Sequence, residues 1–139
     1  SGIALAGADK RESAPSDGED GVLTAEEVGA LDLSGTEWVV LSGCDTGIGP
    51  MRSGEGVLGL SRAFRAAGAR TLVLSLWPVD DESARQWMRA LYDLHFVQGR
   101  STADAVRGAS LDVLRRRRTA GKSTHPLFWG GFIATGDWR

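Results

Sequence analysis

Residues 37–77 read EWVVLSGCDTGIGPMRSGEGVLGLSRAFRAAGARTLVLSLW, and this stretch decides the fold. Glu37 to Ser42 is a short apolar run bounded by Gly35 and Gly43, which predicts a buried strand. Glu55 to Ala67 then places Val57, Leu58, Leu60, Ala63, Phe64 and Ala67 at helical spacing, with Gly68 as the stop. Thr71 to Trp77 is a second apolar run, ended by Pro78. Strand, helix and strand in this order predict two parallel strands joined by a right-handed crossover. Both runs are apolar throughout rather than alternating, so both faces of the sheet are expected to be covered. The fold class is α/β.

Outward from this unit the elements continue in the same style. Thr24-Ala-Glu-Glu27 is a capping box that opens a short helix to about Leu31. Asp80 or Asp81 caps a helix whose inner face is Ala84, Trp87, Met88, Leu91 and Leu94, ending before Gly99. Ser101 caps another, with Val106, Ala109, Val113 and Leu114 turned inward. Phe128 to Thr135 is expected as a last strand, its Gly130 and Gly131 marking close approach by a neighbour. Residues 8–21 (ADKRESAPSDGEDG) read as a flexible surface loop. Two or three strands fall short of a sheet of ordinary size, so the sheet is expected to be incomplete. The chain starts at Ser1 rather than Met, as expected of a piece of something longer.

Composition removes several classes. A chain of 139 residues fits a single domain, and 42% hydrophobic content with a net charge of −2 is not that of a disordered segment. The longest apolar stretch, Thr71 to Val79, is interrupted by Ser75 and Pro78 and is far shorter than the ~20 residues of a membrane helix. One Cys forbids an internal disulfide, which makes a reducing, cytoplasmic setting the default. Charge is segregated: eight acids against Lys10 and Arg11 between Asp9 and Asp32, and six bases against Asp112 between Arg107 and Lys122. The run Arg115–Arg118 closes a helical pattern without aromatic interleaving and is read as a solvated helix end rather than a nucleic-acid site.

In open α/β sheets, ligands gather beyond the carboxyl ends of parallel strands. Two segments fall there: Ser42-Gly43-Cys44-Asp45-Thr46-Gly47 and Trp77-Pro78-Val79-Asp80-Asp81. Cys44, in a Gly-flanked turn at that edge, is either a nucleophile whose thiolate is held by backbone N–H groups or a small buried apolar residue. A thiol nucleophile needs a base, and the chain offers only His95 and His125. His95 ends a helix next to Phe96 and reads as a boundary residue. His125, before Pro126, reaches the carboxyl edge if the last strand is antiparallel, and is otherwise a loop residue. The Gly-rich run Gly47 to Gly56 lacks the G-x-x-x-x-G-K-[ST] phosphate-loop pattern.

Residues 21–47, 53–81 (SGEGVLGLSRAFRAAGARTLVLSLWPVDD) and 125–138 (HPLFWGGFIATGDW), with the opening SGIALAG, resemble the CHAT domain. That family comprises caspase-like cysteine peptidases related to separases and often preceded by tetratricopeptide repeats. The resemblance implies a caspase-like αβα sandwich with a mostly parallel sheet, of which residues 1–139 are the C-terminal, Cys-bearing part. It puts the family's nucleophile, the Cys of S-x-C-[DE]-T-G, on Cys44, with Gly43 where Ala is frequent. The family's catalytic His belongs to a motif upstream of SGIALAG, so the base is expected outside these residues, with His125 a weak stand-in. The implied chemistry is acyl transfer, with the Cys44 N–H holding the oxyanion. Asp45, Trp77, Asp80 and Asp81 are implied substrate-pocket candidates, against turn bonding for Asp45, helix capping for Asp80 or Asp81 and core packing for Trp77. Implied partners are a protein or peptide substrate, the upstream His-bearing part of the domain and a tetratricopeptide regulatory region. Nucleic acid, membrane, metal and cofactor are not expected, and the implied setting is bacterial signalling or defence. The competing reading is an inactive fragment or a non-catalytic interaction module.

Overall fold

The computed structural model describes residues 2–6, 8, 21–42 and 55–137, with the side chains of the first long helix described from residue 59 onward. Its strands and helices form a mixed α/β structure in two compact units. In the first, β1 (Gly2–Ala4) pairs antiparallel with β2 (Val22–Thr24). Helix α1 (Ala25–Gly29) starts at the expected capping box, with Thr24 and Glu27 each bonding the other's backbone N–H. It ends two residues earlier than its sequence pattern suggests, because Ala30 and Leu31 already close turns onto Glu26 and Val28. Helix α2 (Glu55–Ala66) buries Leu60 and Phe64, and the residues after α1 bond to its end through Leu33 N–H and the Ala67 carbonyl. Gly68, at φ +107°, is required there: a Cβ would stand 2.8 Å from the Ser34 nitrogen.

The second unit is built on a three-stranded sheet in the order β3 (Trp38–Leu41), β4 (Thr71–Ser75), β5 (Phe132–Gly136). β3 and β4 are parallel, as read from their sequence, and Leu41 lies beside Leu74. β4 and β5 are antiparallel, with Phe132 opposite Ser75. The expectation of a mostly parallel sheet is therefore met at β3–β4, while the other two described pairings are antiparallel. All five residues of β4 are buried, so both of its faces are covered, as a continuous apolar run requires. β4 stops at Ser75 rather than Trp77. Beyond it, Leu76 N–H still bonds the Gly131 carbonyl, but the Trp77 ring turns aside to Leu127. β5 begins at Phe132 rather than Phe128, because Pro126–Phe128 form a 3-10 turn that uses the Pro126 carbonyl twice.

Helix α3 (Asp81–Tyr92) runs into a π-helical turn (Asp93–Val97), and α4 (Thr102–Thr119) returns antiparallel to it. The pairing is fixed by Trp87 Nε1–H on Ser110 Oγ at 3.0 Å and by Leu94 against Gly108. α3 buries Ser83, Trp87 and Leu91, and α4 buries Thr102, Ala105, Ala109 and Val113. Trp87, Leu91, Ala105, Ala109 and Val113, with Val73, Val79 and Phe132, form one hydrophobic core, in which Trp87 stacks with Phe132 at 4.3 Å. Ala84, Met88, Leu94 and Val106 line the edge of that core, as their spacing indicates.

Candidate active site

β4 delivers Trp77, Pro78 and Val79 to the carboxyl end of the parallel pair, and the antiparallel run of β5 brings residues 123–131 to the same place. Trp77 is half-buried; its Nε1–H donates to the Leu127 carbonyl at 3.1 Å. Its ring closes over Gly131, where an added Cβ would stand 3.2 Å from Nε1 and 2.4 Å from Val79 Cγ2. The close approach read from Gly130-Gly131 is thus real, and the neighbours at Gly131 are two side chains.

Asp80 is the N-cap of α3: its Oδ1 accepts the Ser83 N–H at 3.0 Å. Burial pushes its carboxyl up, but the Ser83 N–H and hydroxyl and the Arg117 guanidinium outweigh this and hold it below its ordinary 3.8. Its side chain thus plays the capping role weighed for it from the sequence. Asp81, the first residue of α3, is exposed and is the carboxylate left on that turn.

Arg117 corrects the reading of Arg115–Arg118 as a uniformly solvated helix end. Its Nε–H donates to the Ser123 carbonyl at 2.6 Å, its Nη1–H to Ser83 Oγ at 3.2 Å, and its guanidinium lies 3.5 Å from the Phe128 ring centroid. One side chain thus ties the end of α4, the start of α3 and the 123–131 segment together. A signal for this exists in the sequence: Ala105, Ala109, Val113 and Arg117 are spaced by four on the buried face of α4. Ser83 and Phe128, its partners, carried no such signal.

Neither His stands as a ready base. His125 does reach the carboxyl edge, but its Nδ1 accepts the Leu127 N–H at 3.3 Å and caps the 3-10 turn. His95 lies at the opposite edge. Its ring stacks on Trp38, the first residue of β3, at 3.9 Å, and its Nδ1 faces the Arg100 carbonyl at 2.9 Å. Cys44 and Asp45, with the Gly-rich loop 43–54, lie outside the described residues, as do residues 9–20 of the expected flexible loop. No helix among the described residues is long and apolar enough to cross a membrane.

A parallel strand pair whose carboxyl ends are followed by a Gly-flanked Cys motif and by a capped helix defines an α/β protein with its candidate chemistry at the sheet edge. The family model of the CHAT domain matches residues 1–137, and the chain belongs to that family. It is also similar to tetratricopeptide repeat protein 28 of Homo sapiens and of Mus musculus, 32% identical to each over 116 residues. That similarity covers 84% of this chain and 4% of either relative, so the chain spans a small part of the curated relatives it matches. Both relatives are mammalian, which takes away the specifically bacterial setting expected from the resemblance.

Proposed function

We propose that this chain is the C-terminal, nucleophile-bearing part of a caspase-like cysteine peptidase domain, with Cys44 as the nucleophile. One observation carries the reading. In a chain of the CHAT family, S-G-C-D-T-G follows directly on β3 of a parallel pair, the edge where α/β folds hold their chemistry. As the family resemblance implies, the base is a His outside these 139 residues, with His125 a weak stand-in. That His takes the Cys44 proton, and the thiolate adds to the carbonyl carbon of a peptide bond. The oxyanion is held by the Cys44 N–H and a second N–H near the absent His, each such donor contributing about 3–4 kcal/mol where this has been measured. The C–N bond then breaks, the imidazolium protonates the leaving amine, and a thioester remains. Water, deprotonated by the same His, hydrolyses the thioester, releasing a carboxylic acid and restoring Cys44.

In this reading the preceding residues complete a caspase-like αβα sandwich, and a tetratricopeptide region regulates the domain in a cytoplasmic setting. Tetratricopeptide repeats in the names of both relatives support that association. Asp45, Asp80 and Asp81 are candidates for a pocket that selects a basic side chain, and Trp77 for its wall. The second reading is a non-catalytic interaction module, in keeping with relatives named only for their tetratricopeptide repeats. Treatment of the full-length protein with a peptidyl acyloxymethyl ketone, followed by mass spectrometry, separates the two. The peptidase reading expects one adduct, on Cys44, that Cys44→Ala removes; absence of any adduct supports the interaction module.

A further inference from the structure

Away from the sheet edge, the outer faces of α3 and α4 enclose a cleft of about 940 Å³ that the proposed peptidase chemistry does not use. The cleft lies along the antiparallel hairpin and takes in the π-helical turn at one end. Its walls carry Arg85, Arg89, Arg100, Arg107 and Arg115, none of which makes a side-chain hydrogen bond or ion pair among the described residues. The acids in the same cleft are fewer and each has a hydrogen-bonded partner. Asp93 accepts from Gln98 at 2.7 Å, Asp104 from the Ser101 hydroxyl at 3.1 Å, and Asp112 binds Arg116 at 2.6 Å. Five arginines without a hydrogen-bonded partner thus line one cleft together with three carboxylates, in a chain whose net charge is −2.

With six arginines against three aspartates, the lining carries an excess of positive charge that an anionic ligand can answer. Arg is also the side chain whose planar fork matches a carboxylate in two-point contact. Ala90, Leu94 and Leu111 supply an apolar part of the lining, and Gly108 leaves just the space that Leu94 fills. The π-turn that shapes one end, where Gln98 N–H bonds the Asp93 carbonyl at 3.0 Å, is a distortion found often at functional sites.

We propose that this cleft docks an acidic, amphipathic peptide segment of a partner protein, its carboxylates on the arginines and its apolar side chains against Leu94 and Leu111. The mixed lining selects this occupant. Apolar side chains lie among the arginines, which suits a peptide better than a bare phosphate chain, and among the described residues lining the cleft there is no aromatic ring on which a base could stack. A short acidic peptide binds instead as an amphipathic segment in a groove.

Fluorescence anisotropy on the full-length protein tests this, using a labelled model peptide with Glu and Leu at helical spacing. The Gln-for-Glu peptide and a single-stranded oligonucleotide of similar length serve as competitors. The peptide should bind, weaken as salt rises to about 150 mM, and lose at least tenfold in affinity in the Arg89→Glu/Arg107→Glu variant. Arg118→Glu, on the same helix outside the cleft, should leave affinity within about twofold, and unchanged circular dichroism melting of each variant confirms that it is folded. Equal loss in Arg118→Glu, equal binding of the Gln peptide, tighter binding of the oligonucleotide, or no binding at all would each overturn the proposal.

Discussion

The two ends of the three-stranded sheet each carry one of the chain's two His residues and are built in opposite ways. At the amino end, Trp38, His95 and Phe96 form an aromatic cluster on the surface, His95 stacked flat on Trp38 and Phe96 set edge-on to both. At the carboxyl end, Trp77, Asp80, Ser83, Arg117, His125 and Phe128 join four chain segments through directed hydrogen bonds and a cation–π contact. Stacking tolerates sliding, whereas directed bonds fix position. A scaffold that must hold a reacting group within a fraction of an ångström needs the second kind. The contrast teaches that a His is assigned by what its ring nitrogens already do, not by its presence at an edge.

Perturbing each end should break this contrast in graded fashion. Trp87→Ala removes the fully buried ring that supports Phe132, and should cost about 3–5 kcal/mol by denaturant unfolding. Gly131→Ala comes next. The new methyl meets Val79 Cγ2, and overpacking of this kind costs about 1–3 kcal/mol. Adding Val79→Ala should return part of that loss, giving a favourable coupling in a double-mutant cycle; strict additivity would mean the clash is relieved in some other way.

Asp80→Ala should cost about 1 kcal/mol through loss of the α3 cap, and Asp80→Asn less, since Asn is as good an N-cap. The folded carboxyl sits below its ordinary 3.8, so its charge stabilises fully above about pH 5 and is lost as pH falls through the folded value. The wild-type and Asp80→Asn unfolding curves should therefore converge in acid and separate toward neutral pH. His95→Ala should cost no more than Asp80→Ala, on the order of 1 kcal/mol from a lost stack and one hydrogen bond, and should leave Cys44 reactivity unchanged. A change in that reactivity would mean that the two ends are coupled.

Much of this was legible in the residues themselves. The apolar runs around Val39 and Val73, the Thr24–Glu27 box and the caps at Asp80 and Ser101 each encode structure within a few neighbours, and local signals of this kind survive folding. The boundaries at Ser75 and Phe132 were not legible, because they depend on Leu76 and Trp77 bonding to residues some fifty positions away. Arg117 was missed for a related reason: in sequence it is one of four identical cations, and its register with Val113 is what turns it inward. At the candidate site, the Cys44 motif and the Trp77–Asp81 segment could be read, whereas the capping Nδ1 of His125 depends on the fold of one turn.

The central claim is that Cys44 is an activated nucleophile, and the pH dependence of its alkylation by iodoacetamide in the full-length protein tests this most directly. An unassisted thiol titrates near 8.5 and loses about tenfold in rate per pH unit below that. The account predicts that Cys44 keeps most of its reactivity down to about pH 6, as a thiolate paired with a protonated His does. A rate that falls tenfold per unit below pH 8 would contradict it.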